Sequence, residues 1–183
     1  MKILVLSSNP SDGDPQFDRA IDALINRVRA STGKDQTHGK KTMEINHLTL
    51  RNMNLKDCIG CYACWLKSPG ICSIKDDMEK VLEKFVKADV VIHASPIKIG
   101  FVSPLAKRIR DRLLPLVHPY LKIDGDRMTH VSRYDKLPKQ IVVLDKTENT
   151  EHIKSMYGTR GQEDQYIYNI HDLEEIVHAL TCY

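Results

Sequence analysis

Nowhere in these 183 residues does an apolar run approach the length of a membrane span, which takes about 18 consecutive apolar residues. The opening MKILVLSS is too short for the apolar part of a secretory signal and has no cleavage site after it. The chain is therefore expected in the cytoplasm, with no membrane partner. An excess of one charge is also lacking: 27 Lys and Arg stand against 24 Asp and Glu, a net charge of +3. That balance gives no reason to expect nucleic acid as a partner. The locally basic GKKT and AKRIRDR have acidic neighbours and read as solvated helix faces. Neither G-x-G-x-x-G nor a Walker sequence occurs, which disfavours dinucleotide and P-loop sites. The eight histidines do not fall at metal-ligand spacing, and no Ser-His-Asp arrangement can be argued. Repeats, low-complexity tracts and linkers are missing too, so residues 1–183 read as one domain.

What is present is an alternation of short apolar runs with helical patterns. Lys2–Ser7 stops at SSNPSDGDP and suits a buried parallel strand. Phe17, Ala20, Ile21, Leu24, Ile25 and Val28 recur at helical spacing. MEINHLTL alternates like an edge strand. Asp76 and Asp77 open a helix whose apolar face is Met78, Val81, Leu82 and Phe85. ADVVIHAS is a second buried strand, and the helix after it presents Val102, Leu105, Ala106, Ile109, Leu113 and Leu116 to the core. Residues 118–138 form an irregular or hairpin-like insertion with Asp124-Gly125 as a turn signal. KQIVVLD is a third buried strand, residues 147–160 carry a weak helical pattern, QYIYNI is a last strand, and Leu173, Ile176, Val177 and Leu180 mark a closing helix. This order predicts an α/β doubly wound parallel sheet with helices on both faces.

Four of the five cysteines fall within CIGCYACWLKSPGIC, as Cys58, Cys61, Cys64 and Cys72 in a loop of about 56–75. Cytoplasmic thiols stay reduced, so such a cluster favours metal or redox chemistry over structural disulfides. Three cysteines at two-residue intervals with a fourth further on suit a [4Fe–4S] cluster. Zinc sites more often pair two separated Cys-x2-Cys knuckles. The competing reading is a packed loop, shaped by Tyr62, Trp65 and Pro69-Gly70, whose buried thiols act as small hydrophobes. A redox disulfide or zinc is a third. Cys182 stands apart from the run.

In a doubly wound sheet the ligand sits at the carboxyl ends of the strands where strand order reverses. That selects SSNPSDGDP, SPIKIGFVSP and the segment after KQIVVLD. In the first, main-chain N–H groups at Asn9 and Gly13, with the hydroxyls of Ser7, Ser8 and Ser11, suit a phosphate monoester at a helix N-terminus. The plainer alternative is a strand-to-helix turn with Asp14 as N-cap, and Asp12, Asp14 and Asp18 would repel a dianion. In the second, main-chain atoms of Ser95, Pro96, Ile97, Lys98, Ile99 and Gly100 can run along the edge of a flat heteroaromatic ring, or simply shape the turn into the helix. His130, Arg133 and Tyr134 either line that pocket or pack a loop or subunit interface. For Lys107, Asp111 and Arg112 an ion pair within one helix is the default.

Three stretches carry a family resemblance: CIGCYACWLKSPGICSIKDDM, ADVVIHASPIKIGFVSPLAKRIRDR and HVSRYDKLP. With the N-terminal strand they resemble the NAD(P)H-dependent FMN reductase and iron–sulfur flavoprotein group over roughly residues 1–145. The resemblance implies a flavodoxin-like fold of about five strands in the order 2-1-3-4-5. It implies FMN, with its phosphate in loop 8–15 and its ring edge on residues 95–101. It also implies a [4Fe–4S] cluster on the four cysteines, and a homo-dimer or homo-tetramer. Where members read Gly-Ser-Pro-Arg and then Gly-Asn-Thr, this chain has Ser7-Ser8-Asn9-Pro10 and Gly13-Asp14-Pro15. The leading expectation is an oxidoreductase passing electrons from NAD(P)H to a quinone, flavin or other small acceptor. The alternatives are a non-enzymatic electron-transfer flavoprotein docking a ferredoxin-like partner, and a flavodoxin-like protein that has lost its cofactor.

Overall fold

In the first strand, β1 (Lys2–Ser7), successive side chains enter different cores, as the two-residue strand period requires. Ile3 and Val5 join one apolar cluster and Leu4 and Leu6 another. The same alternation recurs in β3 (Val90–Ser95), where Val90, Ile92 and Ala94 face the first cluster and Val91 the second. A strand buried on both sides must be covered by helices on both. The computed structural model describes residues 1–31, 43–125, 127–148, 150–153 and 167–181.

Helix α1 (Pro15–Ser31) buries Phe17, Ile21, Leu24, Ile25 and Val28 against the first cluster, beside Ile176, Val177 and Leu180 of the closing helix. Strand β2 (Glu44–Thr49) is a half-buried edge, as its alternation predicts. A single short helix, α2 (Ala63–Leu66), lies inside the cysteine loop. Helix α3 (Met78–Lys87) covers the opposite face with Met78, Val81 and Phe85. The two-residue strands β4 (Ile97–Lys98) and β5 (Phe101–Val102) then form a small hairpin before α4 (Pro104–Asp111).

Strands β6 (Val117–Asp124) and β7 (Arg127–Ser132) pair antiparallel. The insertion at 118–138 is thus a hairpin, its turn using the left-handed φ of +62° at Gly125. Strand β8 (Lys139–Leu144), strand β9 (Ile167–Asn169) and helix α5 (Leu173–Thr181) complete the order. The main sheet is five-stranded and parallel, ordered β2-β1-β3-β8-β9. In terms of sheet strands alone this is the expected 2-1-3-4-5.

Two expectations need adjustment. The helix after β3 runs only from Pro104 to Asp111, so Val102 reaches the core from β5, and Leu113 and Leu116 reach it from a turn and a 3-10 segment at Leu114–Leu116. Pro115 has no N–H to give the Asp111 carbonyl four residues earlier and its ring crowds that oxygen, so the apolar spacing continues while the α-helix does not. Of the weak pattern at 147–160, residues 151–153 are helical and 154–160 lie outside the described residues.

Candidate functional site

Between β1 and β3 the chain order reverses: β1 leads to β2 on one side, and β3 continues the sheet on the other. The loops leaving these two strands therefore flank one crevice at the carboxyl edge. Ser7, Ser8 and Asn9 are all buried there, while Ser11 is exposed. The Ser8 hydroxyl donates to the Ala94 carbonyl at 2.7 Å, and the Ser8 N–H bonds to the same carbonyl at 2.9 Å. Ser103 closes the structure from the other side. Its hydroxyl donates to the Ser8 carbonyl at 2.7 Å and caps α4 by accepting from the Ala106 N–H. Ser95 Oγ accepts from the Ser103 N–H at 2.8 Å. First loop, second loop and helix α4 are thus tied through buried hydroxyls.

Asn9 Nδ2 donates to the Asp14 carbonyl and to Asp18, at 2.9 and 3.0 Å. Its Oδ1 is buried without a partner. Gly13 closes a turn on the Pro10 carbonyl, and a Cβ placed there would stand 1.9 Å from Asn9 Oδ1. Arg51, from the 3-10 segment after β2, reaches across to this loop. Its Nη1 lies 2.9 Å from the Asp18 carboxylate and 3.5 Å from the Asn9 carbonyl. The acidic loop thereby gains a cation that no local pattern announces, since the pair is 33 residues apart. Asp14 caps α1 through the Gln16 N–H, so the plain strand-to-helix turn is also present.

The second loop is a tight hairpin whose turn residues Ile99 and Gly100 both have positive φ, 51° and 72°. A β-branched residue in this region is strained, and Ile99 is fully exposed. A Cβ on Gly100 would meet nothing within 4 Å, so the turn faces open space. Asp145, just past β8, accepts from the Ile97 N–H at 2.8 Å. His152 bonds to the Gly100 carbonyl at 2.5 Å and stacks on Phe101. Lys98 is exposed, and the hydroxyl of Ser95 also bonds to the Pro96 carbonyl.

None of the four clustered cysteines is in a disulfide, and all four line one open pocket with Ile59, Tyr62 and Arg112 in its wall. Cys64 is buried, Cys58 and Cys72 are half-buried, and Cys61 is exposed. Burial, reinforced by the neighbouring Cys72, Cys58 and Cys61, pushes the Cys64 thiol up. The Ser73 hydroxyl, 3.5 Å away, and the Ala63 N–H pull the Cys61 thiol down. Among the described residues no three His, Cys, Asp or Glu side chains stand in metal-holding arrangement. The donor set itself, four thiols around one pocket, suits a thiolate-ligated cluster.

The loop is anchored by contacts far apart in sequence. Trp65 donates through Nε1 to the Leu114 carbonyl at 3.0 Å and packs against His130 at 5.0 Å. Arg133 lies over Gly70 and donates to the Pro115 carbonyl, so His130 and Arg133 pack the cysteine loop. Lys107 pairs with Asp111 within α4, as expected, but Arg112 does not. It is buried and forks onto Asp76, with contacts of 2.8 and 2.9 Å. Burial alone would push the Asp76 carboxyl up, but the Arg112 fork and the N–H groups of Lys56 and Met78 hold it down at about 2. Arg51, Asp76, Ser103 and Asp145 are site residues that motif reading missed. Asp76 carried the local sign of a helix start and Ser103, which precedes Pro104, that of a helix cap, but neither sign named the partner.

A model of NADPH-dependent FMN reductases matches residues 1–125. An iron–sulfur flavoprotein of Archaeoglobus fulgidus is 32% identical over 112 residues, 61% of this chain and 48% of that protein. One of Methanocaldococcus jannaschii is 39% identical over 74 residues, 40% of this chain and 37% of that protein. The alignments thus span less than half the length of these two relatives. Among solved structures, an FMN-dependent NADH-azoreductase from Bacillus anthracis in complex with FMN superposes with a TM-score of 0.64 at 11% identity, covering 98% of this chain and 99% of that one. That likeness is one of fold. Because the matched span runs from β1 through both crevice loops and the cysteine loop into β6, the chain belongs to the NADPH-dependent FMN reductase family.

Proposed function

We propose that this chain is an oxidoreductase that binds FMN in the β1/β3 crevice and passes electrons from NAD(P)H to a quinone, a free flavin or another small acceptor. The observation that carries this reading is the pair of loops at the strand-order switch, locked together through Ser8, Ser95 and Ser103. Such locking fixes the main chain that a flat cofactor would lie against, before the cofactor arrives.

The residues fit that group. The orphaned Asn9 Oδ1 is an acceptor that a ribityl hydroxyl could satisfy. Arg51 offsets Asp18 beside the first loop, where a phosphate has to be tolerated. The Ile99–Gly100 turn faces open space, from which a ring edge could approach it. FMN, when bound, supplies hydride acceptance from the nicotinamide and release of electrons to the acceptor. The chain's part is to bind, orient and shield: Ser7, Ser8, Asn9, Ser11 and Gly13 toward the phosphate, and residues 95–100 toward the ring. No side chain there need act as acid or base.

Cys58, Cys61, Cys64 and Cys72 would hold a [4Fe–4S] cluster, which supplies one-electron steps. The similarity to iron–sulfur flavoproteins supports this part of the reading, as does the shared pocket. The exposed apolar residues Ile59, Tyr62, Leu66 and Ile71 of the cysteine loop favour a second reading, a carrier that docks a ferredoxin-like partner. Slow NAD(P)H oxidation with rapid reduction by a ferredoxin would select it. The proposed function is tested by titrating apoprotein into FMN and following flavin fluorescence. Saturable 1:1 quenching is expected, whereas unchanged fluorescence at high protein concentration sinks the reading.

A further inference from the structure

Two buried charges sit beside the cysteines, Arg112 in the pocket wall and Asp76 paired to it, and the electron chemistry proposed above gives them no role. The Arg112 and Asp76 side chains are 1% and 0% exposed. A buried pair of this kind is a weak source of stability, because the desolvation of both ions offsets their attraction. Its contacts point elsewhere. Arg112 Nη1 donates to the Lys56 carbonyl at 2.6 Å, at the start of the cysteine loop, and to Asp76 at 2.8 Å. Nη2 donates to Asp76 at 2.9 Å and lies 3.5 Å from Cys72 Sγ, near the loop's end. Asp76 in turn accepts from the Lys56 N–H at 2.8 Å and the Met78 N–H at 3.0 Å. One guanidinium thus joins the two ends of the loop to the start of α3. Its Nε is buried without a partner, so the side chain is held for its two Nη groups at the cost of its third donor site.

We propose that Arg112 is a positioning residue for the four-cysteine site: it closes the loop so that Cys72 joins Cys58, Cys61 and Cys64, and it places an N–H donor and a fixed positive charge beside the Cys72 sulfur. This rests on the cluster part of the reading above. A cation and a hydrogen bond at a ligating sulfur favour the more negative, reduced form of a cluster. Arg112 therefore raises the reduction potential as well as securing the fourth ligand. Lysine is a poor replacement, because a single ammonium cannot fork to a carboxylate, a carbonyl and a sulfur at once.

The test loads full-length wild type, Arg112→Gln and Arg112→Lys with ferrous iron and sulfide under anaerobic conditions. Iron and sulfide per chain are measured, and the midpoint potential is read by dye-mediated titration with dithionite, followed by electron paramagnetic resonance. Circular dichroism checks that each variant is folded. The expected result is that Arg112→Gln either takes up less than half the wild-type iron, or holds a cluster whose potential is lower by at least a tenfold change in the oxidised-to-reduced ratio. For one electron that is about 59 mV. Arg112→Lys falls between the two. Folded variants with wild-type iron and wild-type potential overturn the role given to Arg112 while leaving the cluster reading intact. A wild-type protein that takes up no iron overturns both. If Arg112→Gln fails to fold, Arg112→Lys decides the matter, and its matching wild type in iron content and potential is the contrary result.

Discussion

Replacing Asp76 with asparagine probes the buried pair from its acidic side, and the structure gives both a size and a pH signature. The Asp76 carboxyl is held at about 2, against an ordinary value of 3.8. At about 1.36 kcal/mol per unit, that drop is worth about 2.5 kcal/mol of folding free energy near neutrality. The neutral amide keeps the shape but leaves the Arg112 charge uncompensated, so the loss at pH 6 should lie between about 2.5 kcal/mol and the 3–5 kcal/mol typical of a broken buried pair. The folded-state value is lowered, so the stabilising contribution is fully present above 3.8 and is lost as pH falls toward 2. The gap between wild type and variant should accordingly narrow by about 1 kcal/mol between pH 6 and pH 3. Urea unfolding followed by circular dichroism at both pH values measures it. A variant within about 0.5 kcal/mol of wild type at pH 6, or a gap that does not move with pH, would refute the reasoning.

Other substitutions test the crevice. Gly13→Ala puts a methyl where Asn9 Oδ1 now sits, 1.9 Å from the ideal Cβ. Asn9 must then leave its bonds to Asp14 and Asp18, at about 1–3 kcal/mol, and fluorescence titration should show FMN affinity reduced at least tenfold. Ser103→Ala removes both the α4 cap and the bond to the Ser8 carbonyl. Thermal or urea unfolding should report a loss of about 1–2 kcal/mol. Ile99→Gly relieves a β-branched residue from a φ of 51° at a fully exposed position. Stability should rise by about 1 kcal/mol, and a fall instead would mean that the Ile99 side chain makes contacts worth more than the strain.

The elements that sequence patterning made legible are those whose signal is local. Two-residue alternation in Leu4, Val5 and Leu6, and the helical spacing of Phe17 to Val28, report directly on burial, and the sheet order follows from the alternation of strands and helices. The 118–138 segment was readable as far as its Gly125 turn. Local spacing failed where a backbone rule cut across it: Leu113 and Leu116 continue the apolar period beyond Asp111, but Pro115 stops the helix. Partner choice was the other blind spot. Arg112 shares a helical stretch with Lys107 and Asp111, yet its partner Asp76 is 36 residues away. Arg51 likewise meets the first loop only after β2 has paired beside β1. One of the carboxylates beside the acidic first loop, Asp18, is therefore paired in space with a cation that its sequence neighbourhood does not supply. The cysteines illustrate both sides: their spacing put them in one loop, but only the fold supplied Trp65, Arg112 and Arg133 as its anchors.

The central claim is that the β1/β3 crevice holds FMN for electron transfer from a reduced nicotinamide. Its most direct test is the visible spectrum of the FMN-loaded protein as NADH or NADPH is added without oxygen. The account predicts that the bound flavin absorbance bleaches on addition of one of the two and returns when a quinone is supplied. A protein that binds FMN but keeps its full absorbance with both nucleotides, or one that retains no FMN after gel filtration, would contradict it.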